Sequence, residues 1–314
     1  MTNSKKIVSI IVESSATDLS SSHTGVLDTL ASLQKQDYPL ENIEIIICQY
    51  GWDAEKHRAV TAKFPSVKIL TGENSDYYYL KNMGIQEAQG EIIAFADSDC
   101  VYVPTWASGI VHTLEKNADV SVGISNYPGS SLIERLCAFH NFHCILPRES
   151  DRIRRFVSNN VAFKAEVIKS NQYDRRFIRS GGCTQLAERL YRAGMRMKLN
   201  PEQLAHHNFY DLRTHIWERT LRNGYDIFHT RTLDSSMPLA PLAQIGIFAP
   251  PLFWGIFVLS DTYNIIQNIQ YIHCRWYEVP VFLGFSVMMR SLEVVGMYWK
   301  LFNDRSLESY LGKA

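Results

Sequence analysis

The stretch Leu80–Trp106 reads LKNMGIQEAQGEIIAFADSDCVYVPTW, and it decides the fold because it changes period halfway. A helix over Tyr78–Gln89 passes through Gly90 into Glu91–Ala96, EIIAFA, a short continuous apolar run of the kind a strand buried on both faces requires. Asp97-Ser98-Asp99 follows directly. Two carboxylates spaced i, i+2 at a strand end can both reach one hard divalent cation, and Mg²⁺ or Mn²⁺ is commonly held by one or two carboxylates plus substrate phosphates. A solvated turn uses the same residue types. The pair therefore gains weight only from its surroundings.

Working outward, three more runs have the same character: Lys6–Val12 (KIVSIIV), Ile43–Cys48 (IEIIIC) and Val67–Leu70. Val26, Leu27, Leu30 and Leu33 recur at helical spacing between the first two. Strand alternating with helix at these intervals predicts an α/β domain, an open and mostly parallel sheet with helices on both faces. Ligands of such sheets bind beyond the carboxyl ends of the strands, where the acid pair lies.

The 314 residues carry 32 Lys+Arg against 32 Asp+Glu, a balance that argues against a nucleic-acid polymer as partner. Six scattered cysteines without a C-x-x-C pair suggest reduced thiols and a cytosolic catalytic domain. The N-terminal residues run directly into a strand pattern and read as lacking a cleavable signal.

The central stretch resembles family 2 glycosyltransferases, GT-A-fold enzymes that transfer sugars from nucleotide diphosphates. The matching segments are Lys81-Asn82-Met83-Gly84, Ala88-Gln89-Gly90, the apolar strand and Asp97-Ser98-Asp99. Upstream, VSIIV and LASLQKQDYPLENIEIII resemble the family's opening blocks, and Ser158–Phe163 with Glu166 resembles its acceptor-side segment. The likeness spans roughly residues 7–210. It implies that Asp99 ligates Mn²⁺ or Mg²⁺, with His207 completing the site and the adjacent His206 as an alternative. It implies that Asp97 contacts the ribose or the metal's water shell, and that Lys81 and Asn82 lie near base and diphosphate. Trp106 and Asn160 would line the acceptor side.

Two departures bear on function. The second strand ends in Gln49-Tyr50-Gly51-Trp52-Asp53, so the acid that normally reads the nucleobase is replaced by Gln49, which can still hydrogen-bond a base edge. The family's Glu-Asp, whose carboxylate deprotonates the acceptor, is replaced by Gly182-Cys183. A positioned base is worth about 10²–10⁴-fold in such attacks. Glu188 as a substitute catalytic base, an already ionised lipid phosphate as acceptor, and a non-catalytic relative of the family all remain open at this stage. Cys183 reads as a structural thiol. Cys137-x-x-His140-x-x-His143-Cys144 has zinc-type ligands, but on a helix His143 is turned away from the other three.

Beyond a basic juxtamembrane segment at 213–235, residues 236–314 read as a membrane-associated tail, after the 1–212 GT-A domain. Ser235–Ser260 is a run of 26 residues without a charge, and Val279–Trp299 is broken only by Arg290 and Glu293. A spanning helix needs about 20 mostly apolar residues. Leu239–Ser260 offers that length with an expected kink at Pro250-Pro251, and Pro280–Trp299 is a second candidate that spans or lies in the interface. The flanking bases Arg213, Arg219, Arg222 and Arg231, then Lys300, Arg305 and Lys313, put both ends in the cytoplasm.

Together these features predict a metal-dependent glycosyltransferase that moves a sugar, with inversion, from a nucleotide-diphosphate donor to a lipid-linked or polysaccharide acceptor. Its place would be the cytoplasmic face of the cell membrane. A membrane scaffold that keeps the fold without the chemistry is the alternative from another class.

Overall fold

The computed structural model describes residues 6–15, 24–145, 153–177, 179–209 and 212–303. In chain order the elements are β1 (Val8–Ser14), α1 (Thr24–Leu33), β2 (Ile43–Gln49), α2 (Ala54–Lys63), β3 (Lys68–Thr71), α3 (Tyr77–Glu87), β4 (Ile92–Asp97), β5 (Cys100–Tyr102), α4 (Trp106–Glu115) and β6 (Val120–Asn126). There follow α5 (Leu132–Phe142), β7 (Val161–Lys164), α6 (Ala165–Ser170), α7 (Arg179–Arg192) and β8 (Met197–His207), then α8 (Arg219–Leu233), α9 (Ala240–Ala243), α10 (Ala249–Gln267) and α11 (Val279–Phe302). The chain divides into two compact units, one from the described residues of 1–126, 149–178 and 182–208, the other from those of 127–148, 179–181 and 209–314.

In the first unit the eight strands form one sheet in the order β3-β2-β1-β4-β7-β6-β8-β5. The four apolar runs of the sequence are its parallel half: β1 pairs with β2 and β4, and β2 with β3. β7 joins antiparallel to β4 and to β6, while β6 runs parallel to β8. β5 is a three-residue strand antiparallel to the end of β8, setting Cys100 opposite His207. β1 is buried along its whole length, as the unbroken apolar pattern requires. Asp76 caps α3 by accepting from the backbone N–H groups of Tyr78 and Tyr79. Gly84 lets α3 lie directly on the sheet, because a Cβ there would meet Ile11 and, at 2.9 Å, Cys48 Sγ.

In the second unit, Pro250 and Pro251 occupy the first turn of α10. The kink expected from the sequence is a helix start instead, since proline at N1 loses no hydrogen bond and has its φ preset. Among the described residues, one helix, Trp276–Phe302, is long and apolar enough to cross a membrane. Arg290 and Glu293 pair within it at 2.6 Å. Arg231, counted above as a flanking base, is buried and donates to Pro238 O and Ile227 O at the end of α8. The zinc alternative also receives a specific answer. His140 faces Glu293 and His143 faces Asp261, so each meets its own carboxylate. Burial pushes the Cys137 thiol up to about 11. The Cys144 side chain, like Arg305 and Lys313, lies outside the described residues.

Candidate active site at the carboxyl end of β4

Asp97 closes β4 beside Glu13 of β1, and the Ser98 N–H donates to Glu13 O. Two side chains fix the Asp97 carboxylate. Lys81 Nζ donates to Oδ1 at 2.7 Å, and the Tyr77 hydroxyl reaches both oxygens at 2.9–3.0 Å. That hydroxyl also meets Ser158 Oγ at 2.9 Å, and Lys81 donates to Ser158 O. Lys81 is 0% exposed while the Asp97 side chain is 17% exposed, so the ammonium depends on this carboxylate more than the reverse. Burial first, then the charge of Asp97, pushes the Tyr77 phenol well up, which keeps it a hydrogen-bond donor.

Two residues on, Asp99 Oδ2 lies 3.4 Å from His207 Nε2. His207 Nδ1 is 2.9 Å from Asn208 O, and a carbonyl can only accept, so Nδ1 carries the hydrogen and Nε2 is the atom left to ligate. Asp99, Cys100 and His207 thus form a group able to hold a metal ion. The Cys100 thiol is buried and pushed well up, by desolvation and then by Asp99 and Asp97, and its soft sulfur is a poor match for a hard cation. What remains is one carboxylate and one imidazole, a donor set that fits Mn²⁺ or Mg²⁺ with substrate phosphates filling the other positions. His206 is one residue along β8 and points to the opposite face.

The other residues expected at the site are distributed as follows. Gln49 sits at the end of β2, its amide donating to Thr71 Oγ1 and accepting from the Trp52 N–H. Asn82 is turned into the fold, where its amide both donates to and accepts from the Tyr173 backbone. Trp106 and Asn160 are joined by a 2.8 Å bond from the indole N–H, and both are fully buried. They sit in the interior at the start of β7, not on a wall facing solvent.

Glu188 is buried and accepts from Arg192 at 2.7 Å. Five residues past Cys183, it is rotated about 140° around α7 from it. The Cys183 N–H donates to the Tyr78 hydroxyl, and a Cβ at Gly182 would overlap the Tyr78 ring. The missing acid therefore has no room at 182. Tyr77 and Ser158 were not singled out from sequence. The one available signal for Tyr77 was its i, i+4 spacing from Lys81.

Residues 24–164 match the family described as Glycosyl transferase family 2. A glucosyl-dolichyl phosphate glucuronosyltransferase of Haloferax volcanii is 24% identical over 238 residues, covering 68% of this chain and 74% of that protein. The glycosyltransferase AglE of the same organism is 26% identical over 174 residues, 52% of this chain and 56% of that protein. Among solved structures, the mannosyltransferase PcManGT of Pyrobaculum calidifontis, in complex with GDP-Man and Mn²⁺, superposes with a TM-score of 0.64 at 12% identity, over 96% of this chain and 89% of that one. GalNAc-T7 with UDP, GalNAc and Mn²⁺ follows at 0.54 and 12% identity, over 77% of this chain and 54% of that one. The family match includes the stretch that brings Lys81, Asp97 and Asp99 together, and residues 24–164 are a family 2 glycosyltransferase segment within a GT-A fold.

Proposed function

We propose that the enzyme transfers a sugar, with inversion, from a nucleotide-diphosphate donor to a lipid-linked acceptor at the cytoplasmic membrane face. The observation that carries the reading is the convergence of Asp99 and His207 beside the Lys81–Asp97 pair, at the strand ends where such sheets bind ligands. Asp99 and His207 would hold Mn²⁺ or Mg²⁺, which when bound supplies positive charge for the departing diphosphate. Asp97, locked by Lys81 and Tyr77, which Ser158 braces in turn, presents its open edge to the ribose or to the metal's water shell. Gln49, buried and tied to Thr71 and the Trp52 N–H, braces the end of β2 and does not itself face the base. Preorganised groups of this kind cost no rearrangement during reaction.

The acceptor is argued from the described residues at the positions of the family's acids. Gly182 leaves no space for an acid, and Glu188 is engaged with Arg192. A lipid phosphate is already ionised and needs no base. The Haloferax relative, named for a glucosyl-dolichyl phosphate acceptor, and the apolar α11 support a lipid-linked acceptor, while the phosphate as attacking group rests on positions 182 and 188 alone. The test is turnover of UDP-, GDP- and dTDP-sugars by detergent-purified enzyme with polyprenyl phosphate, glycosyl-polyprenyl phosphate or free sugars as acceptors. Transfer to one of the lipid acceptors is expected. Transfer to water-soluble sugars alone overturns the reading.

A further inference from the structure

In the second unit, α10 and α11 are inverted relative to helices that face water. The outward stripe of α10 is Leu252, Ile256, Leu259, Tyr263 and Ile266, with Leu259 72% exposed. That of α11 is Val281, Met288, Val295 and Phe302. Steps of three, four and seven put each set on one helix face. The ionic groups point inward instead. Arg290 donates to both oxygens of Asp261 at 2.7 and 2.9 Å and to Glu293 at 2.6 Å, Ser286 donates to Asp261, and Asn223 donates to Glu293. Helices that close their charges on one another and turn aliphatic faces outward are solvated by hydrocarbon.

Whether they cross that hydrocarbon is decided by α8. A Cβ at Gly224 would overlap the Glu293 backbone, and one at Gly296 would overlap Leu221 O, so α8 runs backbone-to-backbone along the middle of α11. α8 also carries Arg219, Arg222, Asp226 and Arg231. If α11 spanned, α8 and its four charges would be drawn to membrane depth with it, a costlier arrangement than one in which α8 stays on the water side. The link between α10 and α11 exposes Tyr271, Trp276 and Tyr277 beside the bases His273 and Arg275, with Trp276 81% exposed. Amphipathic rings beside positive charge suit the headgroup layer of an anionic membrane.

We propose that the outward faces of α10 and α11 form a one-sided binding surface for an anionic bilayer, immersed about 5–10 Å and not crossing it. This rests on the membrane reading above and adds its mode. The test adds the full chain to phosphatidylcholine vesicles with and without phosphatidylglycerol, follows flotation, and then washes with alkaline carbonate. Stronger flotation on the anionic vesicles, with release by carbonate, is expected. Leu259→Asp with Val295→Asp should lower the floated fraction about ten-fold with unchanged circular dichroism, while Gln34→Asp, which adds a charge at an exposed position of the first unit, keeps it. Flotation that resists carbonate overturns the one-sided mode and leaves the membrane reading standing. No flotation, with or without a dimer in sedimentation, overturns both.

Discussion

At the scale of single residues, the site is built on an asymmetry between Lys81 and Asp97. The ammonium is sealed from water, whereas its carboxylate keeps an open edge. Removing the partner of a sealed charge costs about 3–5 kcal/mol, and removing the partner of a partly solvated one costs less. Asp97→Asn should therefore lower stability in urea more than Lys81→Met, although both damage turnover; the reverse order would contradict the assigned burial. The thiols give a second check. Burial pushes Cys48 up to about 12 and Cys137 up to about 11, and Cys100 well up, so all three remain neutral at pH 8. Peptide mapping after maleimide treatment should find none of them modified in the native chain and all of them after denaturation. The grouping of Asp97, Asp99 and Lys81 was legible in the sequence because strand-end acids and the Lys-Asn-x-Gly segment of α3 are local patterns. Tyr77 was not, since its neighbours Tyr78 and Tyr79 carry the same ring and only the folded helix shows which one reaches Asp97.

At the scale of elements, α7 explains the absent base. Its turn at Gly182 is pressed against Tyr78, whose hydroxyl receives the Cys183 N–H. Gly182→Asp, which puts an acid at the first of the family's two acid positions, should destabilise the fold by about 1–3 kcal/mol through overpacking and should not raise turnover. An activated, equally stable variant would refute the steric account. Glu188→Gln should keep turnover within about three-fold, because loss of a true base costs about 10²-fold or more. Here the sequence located the substitution but not its cause, which lies in a contact 104 residues away in the chain, between Gly182 and Tyr78. The parallel strands β1–β4 were readable from continuous apolar runs. β6 and β8 were not, since VSVGISN and MKLNPEQLAHH mix polar and apolar residues and β8 shifts register between Gly123 and Ile124 of its partner β6. The prolines of α10 misled for a related reason: composition does not say whether a Pro-Pro pair sits inside a helix or opens it.

At the scale of the whole molecule, the sequence divides near residue 212, and the structure adds a detail that linear reading cannot supply. Residues 127–148 belong with the C-terminal unit, where Arg135 forms a two-pronged ion pair with Glu278 and His140 meets Glu293. The catalytic residues argued above all lie in the other unit, so the chemistry and the lipid contact are assigned to separate bodies of one chain. That separation predicts that Leu259→Asp with Val295→Asp leaves donor binding in detergent unchanged while abolishing vesicle association. The central claim, a metal-assisted donor site on Asp99 and His207, is tested most directly by calorimetric titration of nucleotide sugars into the detergent-purified chain, with Mn²⁺ and with chelator, for wild type and Asp99→Asn. The account predicts one donor bound in Mn²⁺, weakened about 10–100-fold or more both by chelator and by the substitution. Equal affinity for that donor in all conditions would contradict it.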